Sequence, residues 1–142
     1  MSVNPHIFRQ YDVRGVVGRD LTPEVGFALG RAFGTRLRRR SSATTHRVAV
    51  GHDNRLSSES LAAAVADGLI ASGVDVVAVG MVPTPVLYFA AEYFQTDGAI
   101  QVTGSHNPPE YNGFKLSVGG RSLYGEAIQE LRALIERDDF EN

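Results

Sequence analysis

The stretch GAIQVTGSHNPPEYNGFKLSV, residues 98–118, contains two predicted strands joined by an irregular loop. Residues 98–104 are apolar enough for an interior strand, and residues 114–118 alternate apolar and polar side chains, as a half-buried strand does. Between the two strands, Pro108 and Pro109 prevent regular pairing and stiffen the chain. The sequence therefore predicts a rigid loop directly after an interior strand.

Upstream of this stretch, apolar strands alternate with amphipathic helices. RVAVG (47–51) reads as a buried strand, and VDVVAVG (74–80) is too apolar on both faces for an exposed edge. We predict an α/β fold, a three-layer sandwich with a mixed, mainly parallel sheet of about four strands flanked by helices. The predicted helices start at the N-cap Thr22, cover about residues 58–72 and 84–94, and close the chain from about residue 125.

The apolar residues of these helices recur on one face and form the predicted core. They are Val25, Leu29, Ala32, Phe33 and Leu37 in the first helix, Leu61, Val65 and Leu69 in the second, and Ala127, Leu131, Leu134 and Ile135 in the last.

The composition is that of one globular domain covering residues 1–142, with 43% hydrophobic and 21% charged residues. No apolar run approaches the roughly 20 residues of a membrane helix, and a net charge of −2 gives no general attraction to nucleic acid. The absence of cysteine excludes disulfides and thiolate metal sites and agrees with a cytoplasmic protein. We therefore expect neither a membrane nor a nucleic-acid partner.

Two polar loops follow predicted interior strands: GHDNRLS (51–57) and GSHNPPEYNG (104–113). In layered α/β folds, ligands gather beyond the carboxyl ends of the strands. Both loops lie at such ends, so we expect a functional site there.

Ser105 has two competing enzymatic uses. A hydrolase nucleophile needs a base within hydrogen-bond reach, but the nearest imidazole, His106, is the adjacent residue and the Gly-x-Ser-x-Gly elbow is absent. The alternative is a serine that carries a phosphoryl group, which needs cations and hydrogen-bond donors around a dianion.

Lys115 is the only lysine among 14 cationic residues. A lysine can both neutralise a phosphate and exchange a proton, whereas an arginine cannot easily lose one. The alternative is a solvent-facing lysine on the polar side of a half-buried strand. The N-terminal FRQYDVRG (8–15) also allows two interpretations, a cationic hydrogen-bonding element or a polar edge strand.

The motifs FRQYDVRG, GHDNRLS, VGMVPTPVLYFA and above all TGSHNPPEYNGFK resemble the first domain of the α-D-phosphohexomutases, in particular the bacterial phosphomannomutase/phosphoglucomutase group. The resemblance implies a four-domain enzyme whose other domains are absent from this chain, through excision, truncation or a split protein. Such enzymes interconvert hexose 1-phosphates and 6-phosphates through a phosphoserine and a bisphosphorylated sugar. The chain alone is then not expected to be catalytically competent.

The same resemblance assigns roles to individual residues. It makes Ser105 the phosphoryl carrier and, through its phosphate, a ligand of Mg²⁺. Lys115 and His106 would act around the transferring group, and Arg14 would pair with the phosphoserine. The implied substrate contacts are Tyr11, Asn107 and Lys115.

The resemblance also implies partners and shows departures. Mannose or glucose phosphates are the expected substrates, hexose 1,6-bisphosphate the activator, and the remaining Mg²⁺ ligands would belong to a missing domain. His52 stands where many members have arginine, and no aspartate-rich metal loop occurs here.

A non-catalytic phosphosugar-binding or partner-binding domain is the alternative. A domain taken from a larger enzyme should expose a face for its neighbour, and residues 11–17 and 83–87 are the candidates.

Overall fold

Strands and helices alternate from residue 13 to residue 102 of the computed structural model, which describes residues 1–142. None of the helices combines the length and the apolar character that crossing a membrane requires. After a 3-10 turn at Pro5–Ile7, the elements are β1 (Val13–Val16), α1 (Pro23–Arg39), β2 (Arg47–His52), α2 (Ser58–Ala71), β3 (Asp75–Met81), α3 (Thr84–Tyr93), β4 (Gly98–Val102), β5 (Tyr111–Val118), β6 (Arg121–Ser122) and α4 (Glu126–Arg137).

All six strands form one mixed sheet in the order β1-β5-β4-β2-β3, with β6 paired to β5. Strand β2 is parallel to β3 and β4, whereas β5 is antiparallel to β1, β4 and β6. The predicted α/β sandwich with a mixed sheet is confirmed, but parallel pairing is confined to three strands. The two strands beyond the predicted four, β1 and β6, are too short for an alternating pattern to reveal them.

The prediction that residues 74–80 form an interior strand is wrong. Strand β3 lies at the edge of the sheet and pairs only with β2, and none of its residues is fully buried. Its apolar composition predicts that the strand is covered. Composition cannot specify whether the cover is another strand of the same sheet.

The core lies mainly on the side of the sheet that α1, α2 and α4 cover. Every predicted core residue of α1 and α2 is buried, and in α4 only Ala127 is half-buried. Helix α1 starts as predicted, with the Thr22 hydroxyl accepting a hydrogen bond from the amide of Val25 at 3.2 Å. Helix α3 lies on the opposite side, over β2 and β4, where Leu87 packs on Ala49 and Ala99.

Two glycines allow α1 and α2 to cross closely. A Cβ atom at Gly30 would collide with the carbonyl oxygen of Val65, and one at Gly68 would collide with that of Phe27. In both cases the obstacle is backbone, which cannot rotate out of the way as a side chain does.

Gly30→Ala is therefore expected to lower the free energy of unfolding by about 2 kcal/mol or more, because overpacking outweighs the roughly 1 kcal/mol gain in helix propensity. Urea denaturation of the chain measures this change. Gly26→Ala is the matched control in the same helix, since its added Cβ would come no nearer than 3.3 Å to the Cβ of Ala64 and 3.5 Å to the carbonyl oxygen of Leu61. Equal stability of the two variants would contradict the close crossing.

Candidate active site

Ser105 lies on a tight turn directly after β4. Its side chain is exposed and its backbone φ is +54°, in the left-handed region that residues other than glycine rarely adopt. Its amide donates to the hydroxyl of Thr103 at 3.0 Å, and the side-chain amide of Asn107 donates to the carbonyl oxygen of Gly104 at 3.1 Å. These bonds fix the turn, and Asn107 is part of what holds it. A contact of Asn107 with the substrate stays a prediction.

Asp53 connects the loop after β2 to the Ser105 loop. One carboxylate oxygen accepts the amide of Gly104 at 2.9 Å, and the other accepts the Ser58 hydroxyl and the amide of Arg55. Burial acts to raise the pKa of Asp53, but the hydrogen bonds from Ser58, Arg55 and Gly104 outweigh it and leave this pKa below its usual value. The charged carboxylate therefore holds the two loops together.

A pH dependence follows from the lowered pKa of Asp53. The charged form stabilises the fold fully above the unfolded pKa of about 3.9, and this contribution is lost as the pH falls through the lower folded pKa. Asp53→Asn is expected to cost about 2 kcal/mol at neutral pH and to show a smaller loss of stability below pH ~4 than wild type.

Urea denaturation at pH 7 and pH 3 measures both effects. Glu136→Gln is the control, since Glu136 forms an exposed ion pair with Arg132 and should keep the wild-type pH dependence. An unchanged acid dependence in Asp53→Asn would contradict this role.

Arg14 lies buried at the base of the Ser105 loop, with only 4% of its surface exposed. Its Nε and Nη2 donate to one oxygen of Asp12 at 3.1 and 2.9 Å, and its Nη1 donates to the carbonyl oxygen of Thr103 at 3.1 Å. Arg14 is thus bound to the loop two residues before Ser105. Its pairing with a phosphorylated Ser105 stays a prediction.

Lys115 shares one face of the sheet with Arg14. In the strand register Arg14 lies opposite Gly113, two residues from Lys115, while the intervening Phe114 points into the main core. Lys115 is half-buried and takes part in none of the ion pairs of the protein. Its amine therefore has no carboxylate partner to hold it away from a ligand.

The other predicted site residues lie nearer the solvent. His106 is exposed in the same turn as Ser105, and Tyr11 is 72% exposed before β1. His52 is half-buried, and its Nδ1 lies 2.9 Å from the carbonyl oxygen of Asp53, so it supports its own loop. No hydrogen bond joins the Ser105 hydroxyl to a histidine, which a serine hydrolase would require.

Arg55 contacts the Ser105 loop more extensively than any residue that the sequence assigned to the site. It donates four hydrogen bonds to main-chain carbonyl oxygens of this loop, at 2.6 to 3.3 Å. The only signal in the sequence was its place in GHDNRLS, directly after a buried strand.

A magnesium ion would find an incomplete set of ligands in this chain. No three His, Asp or Glu side chains cluster in the structure. The two carboxylates at the site are already engaged, Asp12 with Arg14 and Asp53 with Gly104. The contribution of Ser105 to a metal site, through its phosphate, stays a prediction.

Comparison with known proteins identifies the family of the chain. Residues 5–142 match the family model described as phosphoglucomutase/phosphomannomutase, alpha/beta/alpha domain I. The chain belongs to this phosphoglucomutase/phosphomannomutase family. It is 50% identical over 134 residues to a phosphomannomutase/phosphoglucomutase of Pseudomonas aeruginosa, covering 94% of this chain and 28% of that protein.

Further members of the family show the same partial coverage. A phosphoglucomutase of Neisseria gonorrhoeae is 47% identical over 139 residues, which are 98% of this chain and 30% of that protein. A crystal structure of a phosphoglucomutase/phosphomannomutase family protein from Burkholderia thailandensis superposes with a TM-score of 0.91 at 47% identity, covering 99% of this chain and 32% of that one. The chain thus spans about a third of the length of the relatives it matches.

Proposed function

We propose that this chain is the phosphoserine-bearing first domain of a phosphohexomutase that interconverts hexose 1-phosphates and 6-phosphates. The exposed hydroxyl of Ser105, fixed on a left-handed turn at the end of β4, carries the proposal. The buried guanidinium of Arg14 below the loop and the unpaired amine of Lys115 on the same sheet face support it. The guanidinium offsets the charge of a phosphate dianion, and the amine does so once it has taken up a proton.

In the proposed transfer, a sugar hydroxyl oxygen attacks the phosphorus on Ser105. The new oxygen–phosphorus bond forms as the bond to the serine Oγ breaks. Lys115 enters this step as the neutral amine and accepts the proton of the sugar hydroxyl, while the released serine oxygen takes up a proton from solvent to become a hydroxyl. The product is a hexose 1,6-bisphosphate, whose other phosphoryl group returns to the serine in the reverse sense. Mg²⁺ would offset charge on the phosphate oxygens, with most of its ligands outside this chain. His106 stabilises the transferring group, and Tyr11 contacts the sugar.

The proposed substrates are mannose and glucose phosphates, because the relatives carry the names phosphomannomutase and phosphoglucomutase. The proposed location is the cytoplasm, where such sugar phosphates are metabolised. The remaining domains, which the length of the relatives implies, would supply sugar recognition.

A hybrid enzyme tests the proposal. The matching segment of the Pseudomonas aeruginosa relative is replaced by this chain, and conversion of mannose 1-phosphate and glucose 1-phosphate to the 6-phosphates is measured. We expect activity in the hybrid and none in the chain alone. An inactive but folded hybrid, together with tight binding of hexose 1,6-bisphosphate by the lone chain in calorimetry, would favour the non-catalytic binding domain instead.

A hydrophobic surface supports the proposed further domains. Beside the predicted segment 83–87, helix α3 exposes Phe89 (67%) and Tyr93 (70%), and the neighbouring edge strand exposes Met81 (62%). Exposed apolar patches of this kind commonly mark protein–protein interfaces. We propose that the rest of the longer enzyme packs on this surface.

Phe89→Asp is therefore expected to lower the melting temperature of the hybrid by about 5 °C while leaving that of the isolated chain unchanged. Ile70→Asp is the control, because Ile70 is 59% exposed on α2, on the opposite side of the sheet. Equal melting temperatures of the wild-type and Phe89→Asp hybrids would refute the interface.

A further inference from the structure

We infer that Arg55 is a positioning residue, which holds the loop of residues 104–111 in the one conformation that presents Ser105 for phosphoryl transfer. The inference deepens the proposed function and rests on it. Arg55 lies on a different element from the serine, in the loop that connects β2 to α2.

The guanidinium of Arg55 is fully engaged with the main chain of this loop. Its Nη1 donates to the carbonyl oxygens of Pro108 at 2.7 Å and Tyr111 at 3.0 Å. Its Nη2 donates to the carbonyl oxygens of Asn107 at 2.6 Å and Ser105 at 3.3 Å. Every acceptor is a backbone group, so Arg55 recognises the path of the loop rather than its side chains.

These carbonyl groups have few other partners. The loop contains two consecutive prolines, which supply no amide donors, and it forms no strand pairing before Tyr111. One side chain with a rigid fork of donors therefore replaces the missing strand pairing.

Gly104 allows the guanidinium to approach this closely. A Cβ atom at position 104 would collide with Nε and Cζ of Arg55. On the other side of the peptide, the amide of Gly104 donates to Asp53 at 2.9 Å. The residue before the serine is therefore held between Asp53 and Arg55.

Arg55 does not act as a phosphate ligand, because nearly all of its hydrogen-bond donors are already used. All four Nη hydrogens serve the four carbonyl oxygens, and only the Nε–H remains, with Nε 3.8 Å from Asp53. Arg55 acts through the backbone of the loop, whereas the charge that faces the phosphate comes from other residues.

The backbone of Ser105 explains why the loop needs such support. A left-handed conformation costs a residue other than glycine roughly 1–2 kcal/mol, and it persists only where the surroundings enforce it. Without Arg55, Ser105 is expected to leave this conformation, and the fraction of molecules with a correctly placed serine falls.

Two variants of Arg55 test the inference in the hybrid enzyme and in the isolated chain. Arg55→Lys keeps the charge but lacks the planar fork, and Arg55→Ala removes both. We expect each to lower kcat by about 100-fold with KM nearly unchanged, because misplacing a reacting group impairs the chemical step more than binding. Guanidinium ion added to Arg55→Ala should restore part of kcat. Arg132→Ala, which removes an exposed arginine on α4, should behave as wild type.

In the isolated chain, amide ¹⁵N relaxation measures the order of the residues of 104–111 other than the two prolines. We expect both Arg55 variants to increase motion there, while amides of the core strands keep their wild-type relaxation. An Arg55→Lys hybrid with wild-type kcat, or an Arg55→Ala loop as rigid as wild type, would overturn the inference. If the wild-type hybrid is inactive but the loop of Arg55→Ala is mobile, the proposed function is wrong, whereas the role of Arg55 in holding the loop is confirmed.

Discussion

Replacing Ser105 with alanine is expected to abolish phosphoryl transfer in the hybrid enzyme, with a loss of kcat of at least about 10⁴-fold. The change removes the only atom that forms the covalent bond, and the loop should survive it. The hydroxyl of Ser105 takes part in no hydrogen bond of the loop, so the turn depends on the backbone of this residue. Coupled assays of sugar 6-phosphate formation measure the loss.

Intact mass supplies an independent measurement of the same residue. The wild-type hybrid, incubated with hexose 1,6-bisphosphate, should gain about 80 Da, which phosphatase removes, and Ser105→Ala should gain nothing. Ser105→Gly is a useful companion, because glycine adopts the left-handed conformation without strain and leaves the loop intact. Substantial turnover by Ser105→Ala would exclude a phosphoserine mechanism at this position.

The second large effect is expected at Lys115. Lys115→Met removes both the charge and the proton acceptor and should lower kcat by about 10²–10⁴-fold. Lys115→Arg keeps the charge but cannot readily accept a proton, so it should recover only a small part of that loss. Because Lys115 has no ion-pair partner and is half-buried, neither change should much affect the melting temperature of the chain.

The two variants of Lys115 separate three interpretations. If Lys115→Arg matches wild type, the amine acts through its charge alone. If both variants match wild type, Lys115 is the solvent-facing residue that its strand position also allowed, and the proton acceptor must be sought elsewhere. Steady-state kinetics of the hybrid with glucose 1-phosphate distinguish these outcomes.

Much of the fold follows from local rules that act within one element. The core residues of α1 and α2 recur at helical spacing, and Thr22 with Pro23 is a complete helix start signal, so these predictions are confirmed. The helix predicted over about residues 84–94 is also confirmed, since α3 begins at Thr84, with Pro83 at the cap position, and ends at Tyr93. The short strand β1 gave too little pattern to decide between an edge strand and a binding element.

The candidate site was only partly predictable, because its geometry depends on contacts between distant parts of the chain. The motif led to Ser105, but serine as a residue type gives no indication of a left-handed backbone. Arg55 and Asp53 act through main-chain groups of a loop about 50 residues later, and no spacing rule connects such positions. Arg14 was predicted as a partner of the phosphoserine, and the structure adds that Asp12 and Thr103 already hold it in place.

The contact between Gly104 and Arg55 also has an evolutionary consequence. Any side chain at position 104 would occupy the space of the guanidinium, and any shorter residue at position 55 would leave a gap above the glycine. Neither residue can be substituted independently of the other. Homologues are therefore expected to keep both residues or to replace both.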